Sequence, residues 1–102
     1  MNEKDLHDLE TKFEKRTGKD PTVSLPAGIF LGDINEYIER ARPLKAALAT
    51  GKRSPADTER IQGLIAQLKR AARARVIQRE LNKMDGRPDG FITPWPDIPL
   101  IP

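Results

Sequence analysis

The chain has 102 residues, of which 37% are hydrophobic, 5% aromatic and 32% charged. That suffices for one small domain near the size at which a single core becomes marginal, and leaves little apolar surface to anchor long tails. The absence of cysteine excludes disulfides, thiolate metal sites and cysteine nucleophiles; with no bilayer-length apolar run and no signal-peptide pattern, a cytoplasmic location without a membrane partner is expected.

Residues 2–17 are expected to form a first helix. Leu6, Leu9 and Phe13 recur at helical spacing and make a narrow apolar stripe. Glu3, Asp5, Asp8 and Glu10 crowd its beginning and Lys15 and Arg16 its end, in the sense the helix dipole favours, and Gly18 closes it. Residues 19–32 read as a linker interrupted by Pro21, Pro26, Gly28 and Gly32. Within it Val23, Leu25, Ile29, Phe30 and Leu31 are too apolar for a fully solvated loop, so part of it is expected on the core.

A second helix is expected over 33–50. Asp33 reads as its N-cap, with Glu36 completing a capping box. Ile34, Tyr37, Ile38, Ala41 and Leu48 share one face. Pro43 lacks an N–H and its ring meets the carbonyl of Glu39, but the stripe keeps its phase through it, which predicts a kink rather than a break.

The third helix, over 55–85, is the most informative part of the chain. Ser54 is its N-cap, Pro55 occupies the first helical position and Asp57 follows; Gly86 and Pro88 mark its end. With Ile61 set at zero, Leu64, Ile65, Leu68, Ala72 and Val76 fall within about 60° of it. Ala74, Ile77, Leu81 and Met84 fall within about 40° of the opposite direction. Two offset apolar faces need two partners. The short turn at Thr50–Arg53 makes an antiparallel hairpin of the second and third helices, which are about 25 Å and 45 Å long, so roughly 20 Å of the third overhangs. The first helix, a second copy of the chain or a foreign protein is expected to cover the overhang. Where Leu6, Leu9 and Phe13 do so, they meet Ile77, Leu81 and Met84.

Residues 87–102 read as an extended arm, because Pro94, Pro96, Pro99 and Pro102 forbid helix and interior strand. Solvated tails are usually polar, whereas this one carries Phe91, Ile92, Trp95, Ile98, Leu100 and Ile101, which places it in a groove of its own fold or of a partner.

The net charge of +3 is unevenly spread: residues 1–51 hold 8 basic and 9 acidic groups, for −1, and residues 52–102 hold 10 and 6, for +4. On the third helix Arg75, Arg79 and Lys83 form one row, the electrostatic pattern of a helix that follows phosphates, although solvation of the overhang, with Glu80 balancing the charge locally, is the simpler explanation. No zinc finger, aromatic stacking platform or recognition helix accompanies the row. Asp85 to Thr93 resembles the first nine positions of an EF-hand calcium loop, but Arg87 stands at position three and Pro96 at position twelve, so a tight turn without calcium is expected. His7 is the single histidine, and neither Ser24 nor Ser54 has a base in its sequence context, so no enzyme, cofactor or metal is expected.

The run Leu44-Lys45-Ala46-Ala47-Leu48-Ala49-Thr50-Gly51-Lys52-Arg53, followed by Leu64, Ile65 and Leu68 on a helix, resembles the helix–TGKR–helix phrasing of small phage head-completion proteins. The β-hairpin which that family inserts after the turn is missing here. The resemblance implies an oligomeric virion component that joins portal to tail without enzymatic activity.

Together these features predict an all-α fold: a helical hairpin with a long second arm, an additional N-terminal helix and a proline-rich C-terminal arm. The function expected is that of a non-enzymatic adaptor or assembly protein binding another protein or itself, in the cytoplasm or in a virion. Its contact residues are expected to be Phe91, Trp95, Ile98, Leu100, Ile77, Leu81 and Met84. The alternative is a nucleic-acid-binding regulator that uses Arg75, Arg79 and Lys83.

Overall fold

The computed structural model describes residues 2–18, 31–87 and 89–98. Over these residues the chain is all-α, with three helices and no strand: α1 (Glu3–Thr17), α2 (Leu31–Ala49) and α3 (Pro55–Met84). The linker expected over 19–32 falls outside the described residues, apart from Leu31 and Gly32, which already belong to α2.

The ends of the helices follow from local chemistry. Asn2 caps α1, its Oδ1 accepting the Asp5 N–H at 2.8 Å, and Gly18 closes it in the left-handed region at φ 70°. Ser54 caps α3, its Oγ accepting the Asp57 N–H at 3.2 Å, with Pro55 in the first turn where a missing N–H costs nothing. Gly86, at φ 66°, turns the chain out of α3. The second helix starts at Leu31, so Asp33 lies inside its first turn and is not the N-cap. Pro43 stands within α2, and the helix continues past it to Ala49.

The two apolar faces of α3 support two separate cores. In the first, Ala41, Leu44 and Ala47 of α2 pack on Ile61, Ile65 and Leu68 of α3, with Tyr37, Leu48 and Leu64 at the margin. The turn at 50–54 and the pairing of Asp33 with Arg75 and Arg79 make α2 antiparallel to α3. In the second, Leu6 and Phe13 of α1 pack on Ala74, Ile77 and Leu81, with Leu9 beside them. The ion pairs Glu3–Arg70, Glu10–Arg73 and Arg16–Asp85 climb both helices together, so α1 runs parallel to α3. Thus α1 supplies the partner that the second face requires, and each fully buried Leu or Ile adds about 1.5–3 kcal/mol of apolar burial.

The apolar face of α2 is placed differently from its sequence stripe. Leu44 is 1% exposed, whereas Ile34 and Ile38 are 37% and 46% exposed. Met84, expected at the end of the second face of α3, is 39% exposed, because the apolar cluster shared with α1 ends at Leu81.

Candidate functional site

The side of α3 that lies between its α1 face and its α2 face is taken by the C-terminal arm. Arg75, Gln78 and Asn82, spaced by three and four, project together there and hold the backbone of residues 91–93. Asn82 Nδ2 donates to the Phe91 carbonyl at 3.2 Å, and Arg75 Nη1 donates to the Thr93 carbonyl at 2.7 Å. Gln78 makes two bonds to Thr93: its Oε1 accepts the backbone N–H at 2.6 Å, and its Nε2 donates to Oγ1 at 2.7 Å. These bonds leave the polar groups of Thr93 satisfied although the residue is buried. Residues 91–98 form neither helix nor strand, so side chains of α3 supply the partners that a sheet would otherwise give them.

Further along, Trp95 and Ile98 settle against the first core. The guanidinium groups of Arg40 and Arg75 lie over the Trp95 ring, 5.4 and 5.2 Å from its centroid, within cation–π range. Arg75 is therefore shared by three partners: the Asp33 carboxylate at 2.9 Å, the Thr93 carbonyl and the Trp95 ring. Asp33 is buried and also receives Arg79, so one carboxylate gathers two cations of the basic row. Lys83, the third residue of that row, is exposed and forms no ion pair among the described residues.

The expected interaction residues thus separate into distinct environments. Ile77 and Leu81 lie beneath α1, Trp95 and Ile98 are partly buried on the first core, and Met84 is half-exposed. Phe91 is 74% exposed at the start of the arm. Leu100 lies outside the described residues. Four residues central to the docked arm, Asp33, Gln78, Asn82 and Thr93, were not singled out by sequence as contacts. The one available signal was the polar line Arg75, Gln78 and Asn82 running between two apolar faces, which reads equally well as a solvated strip.

The turn before the arm is tight: the Arg87 N–H donates to the Asn82 carbonyl at 2.8 Å and the Gly90 N–H to the Arg87 carbonyl at 2.9 Å. Asp85, position one of the calcium-loop likeness, is paired with Arg16. A cleft of about 750 Å³ opens where the arm, α3 and the start of α1 meet, with Asp5, Arg70, Trp95 and Asp97 among its walls. Arg70 reaches the exposed Glu3 at 3.8 Å and the Thr93 hydroxyl is bound by Gln78, so these walls present charge and an aromatic edge.

Compared with protein-family models, with curated proteins and with solved structures, the chain finds no match. The turn between α2 and α3, Thr50 to Ser54, carries no β-hairpin.

Proposed function

We propose that the protein is a non-enzymatic binding module, an adaptor or assembly component that engages another protein through its docked arm. The observation that carries this reading is Phe91. It is 74% exposed, yet it is held at its own carbonyl by Asn82 and follows a tight turn. A large apolar side chain presented on a fixed backbone loses little freedom on binding, which is the property of an interface anchor. The long helix contributes as the rail on which the arm is mounted. Its two apolar faces are engaged by α1 and α2, so the binding role falls to the arm and its margins. The resemblance around Thr50–Arg53 gives such a module a setting in virion assembly.

The nucleic-acid reading draws on the positive second half of the chain. It is the weaker of the two, because Arg75 and Arg79 both spend their charge on Asp33. Recovering the tagged chain from its native source under mild conditions separates the readings. The adaptor reading expects a protein in fixed proportion to the chain, lost on Phe91→Ser while circular dichroism stays unchanged. Recovery of nucleic acid instead, with an affinity that falls steeply as salt rises, would sink it.

A further inference from the structure

We propose that the cleft between the arm, α3 and the start of α1 binds a short peptide segment that bears both a carboxylate and a cationic group. Arg70 receives the carboxylate, and Asp5 and Asp97 receive the cation. The inference rests on the reading of the arm as a protein-binding element, and names the chemistry of the segment it takes.

The first support is Arg70. Its side chain is only 25% exposed, yet it forms no hydrogen bond among the described residues: Glu3 stands 3.8 Å away and is itself 89% exposed. Its Nε is shut off from water and also lacks an acceptor. The similarly covered Arg73 and Arg75 each bond an acid, Glu10 and Asp33. A covered guanidinium with five donors and no bonded partner is costly. A carboxylate arriving at its terminal nitrogens supplies the charge-assisted bonds that the fold withholds.

The second support is the company Arg70 keeps. Asp5 of α1 and Asp97 of the arm line the same cleft, and neither forms an ion pair among the described residues. Opposite charges that face one cavity without meeting leave room for a ligand that meets both. Two carboxylates beside one guanidinium also argue against a simple anion, which they would repel. The volume of about 750 Å³ lies in the range of about 300–1,000 Å³ usual for ligand sites, and takes several residues of a chain rather than one. Trp95 gives the cleft an apolar wall, its ring held by Arg40 and Arg75. Pro94 and Pro96 flank it and have no N–H, so the arm cannot take a guest by pairing as a strand, and recognition falls to side chains. Phe91 stands four residues before Trp95, at most about 14 Å along the arm, so one partner reaches both.

Trp95 is the single tryptophan of the chain, so its emission reads occupancy of the cleft in the full-length protein. The probes are end-capped glycine pentapeptides carrying a glutamate and a lysine, a glutamate alone or a lysine alone, and uncapped pentaglycine, whose opposite charges sit at its ends. A saturable shift is expected with the mixed peptide or with pentaglycine, and the better binder of the two identifies side chains or chain ends as the source of the charges. The single-charge peptides should bind about tenfold or more weakly, and Arg70→Gln should weaken the better binder by about as much. Replacing both acids, Asp5→Asn with Asp97→Asn, should let the glutamate peptide bind as well as the better binder. Both acids are exposed, so this variant tests the site independently of any effect of Arg70→Gln on folding, which circular dichroism reports. The absence of a saturable shift with every probe overturns the proposal. So does binding indifferent to Arg70→Gln in a folded chain, or a glutamate peptide that matches the better binder on the natural sequence. A partner retained through Phe91 and unaffected by Arg70→Gln overturns the cleft and leaves the binding reading standing. Cleft binding as expected, in a chain whose partner ignores Phe91→Ser, supports the cleft and overturns Phe91 as the anchor.

Discussion

Gln78 and Thr93 satisfy each other twice, the amide oxygen taking the backbone N–H at 2.6 Å and the amide nitrogen giving to the hydroxyl at 2.7 Å. The pair lies where an arm without regular structure meets the C-terminal third of a long helix. It fixes the register of the arm: a slip of one residue would face Gln78 with Ile92 or with Pro94, which has no N–H to offer. Phe91 and Trp95 owe their positions to that register.

Gln78→Leu should therefore release the arm more than the loss of one surface amide suggests. Thr93 is 8% exposed, so its N–H and hydroxyl would be left buried and unpaired, at a cost of about 1–3 kcal/mol. Thr93→Val keeps the backbone bond and should cost less, about 1 kcal/mol. Trp95 is the single tryptophan of the chain, so its fluorescence reports the arm directly. A red-shifted, more easily quenched emission in Gln78→Leu is expected, with helical content unchanged. An unaltered spectrum would show that apolar packing of Trp95 and Ile98 holds the arm alone.

Asp33→Ala should be the more damaging change. The carboxylate is 4% exposed and faces Arg75, 16% exposed, and Arg79, 47% exposed. Without it the Arg75 guanidinium keeps the Thr93 carbonyl and the Trp95 ring but no counter-charge, while Arg79 turns to water. Loss of one partner from a buried pair costs about 3–5 kcal/mol, and the exposure of Arg79 lowers the expectation here to about 2–4 kcal/mol. Asp33→Asn, which retains an acceptor, should fall between that variant and the natural chain. Chemical denaturation measures both, and a loss below 1 kcal/mol in Asp33→Ala, roughly the worth of an exposed pair, would remove Asp33 from the framework.

Much of this fold was legible because its signals are local. Ser54, Pro55 and Gly86 bound α3, Gly18 ends α1, and a helical period applied to Ile61, Ile65 and Leu68 against Ala74, Ile77 and Leu81 separates the two cores. The docked arm was legible only as an apolar, proline-broken tail in need of a groove. Its partners are polar residues of a helix, and nothing local distinguishes Gln78 or Asn82 from solvated neighbours. Asp33 misled because a carboxylate near a helix start looks like a cap, whereas its partners are 42 and 46 residues away in sequence. Ile38 misled for a geometric reason. Leu44 and Ile38 lie about 60° to either side of Ala41, so a stripe centred on Ala41 does not say which flank faces α3. The structure chooses Leu44.

Two glycines of the same helix and turn should respond oppositely to one substitution. Gly63 is exposed within α3 with open space where a Cβ would go, so Gly63→Ala should stabilise the chain by about 0.5–1 kcal/mol through backbone entropy and helix propensity. Gly86 also has open space around it, but stands at φ 66°, where a Cβ strains the backbone. Gly86→Ala should destabilise by about 1–2 kcal/mol. Paired denaturation curves check the signs, and a stabilising Gly86→Ala would mean that the turn opens in solution.

The separation of the two cores makes its own prediction. Leu68 and Ile77 are both fully buried, in different clusters, and stand nine residues apart on α3, about 13 Å. Leu68→Ala and Ile77→Ala should each cost about 2–5 kcal/mol from lost transfer energy and the cavity left behind. Because the clusters share no side chain, the double variant should equal the sum of the two within about 0.5 kcal/mol. Their effects on local opening should differ. Ile77→Ala removes the floor beneath Leu6 and Phe13, so amide exchange should quicken across α1 while the α2–α3 hairpin stays protected. Leu68→Ala weakens that hairpin, on which both α1 and the arm are mounted, so exchange should quicken throughout. Equal quickening of all three helices in Ile77→Ala would instead mark the two clusters as one cooperative core.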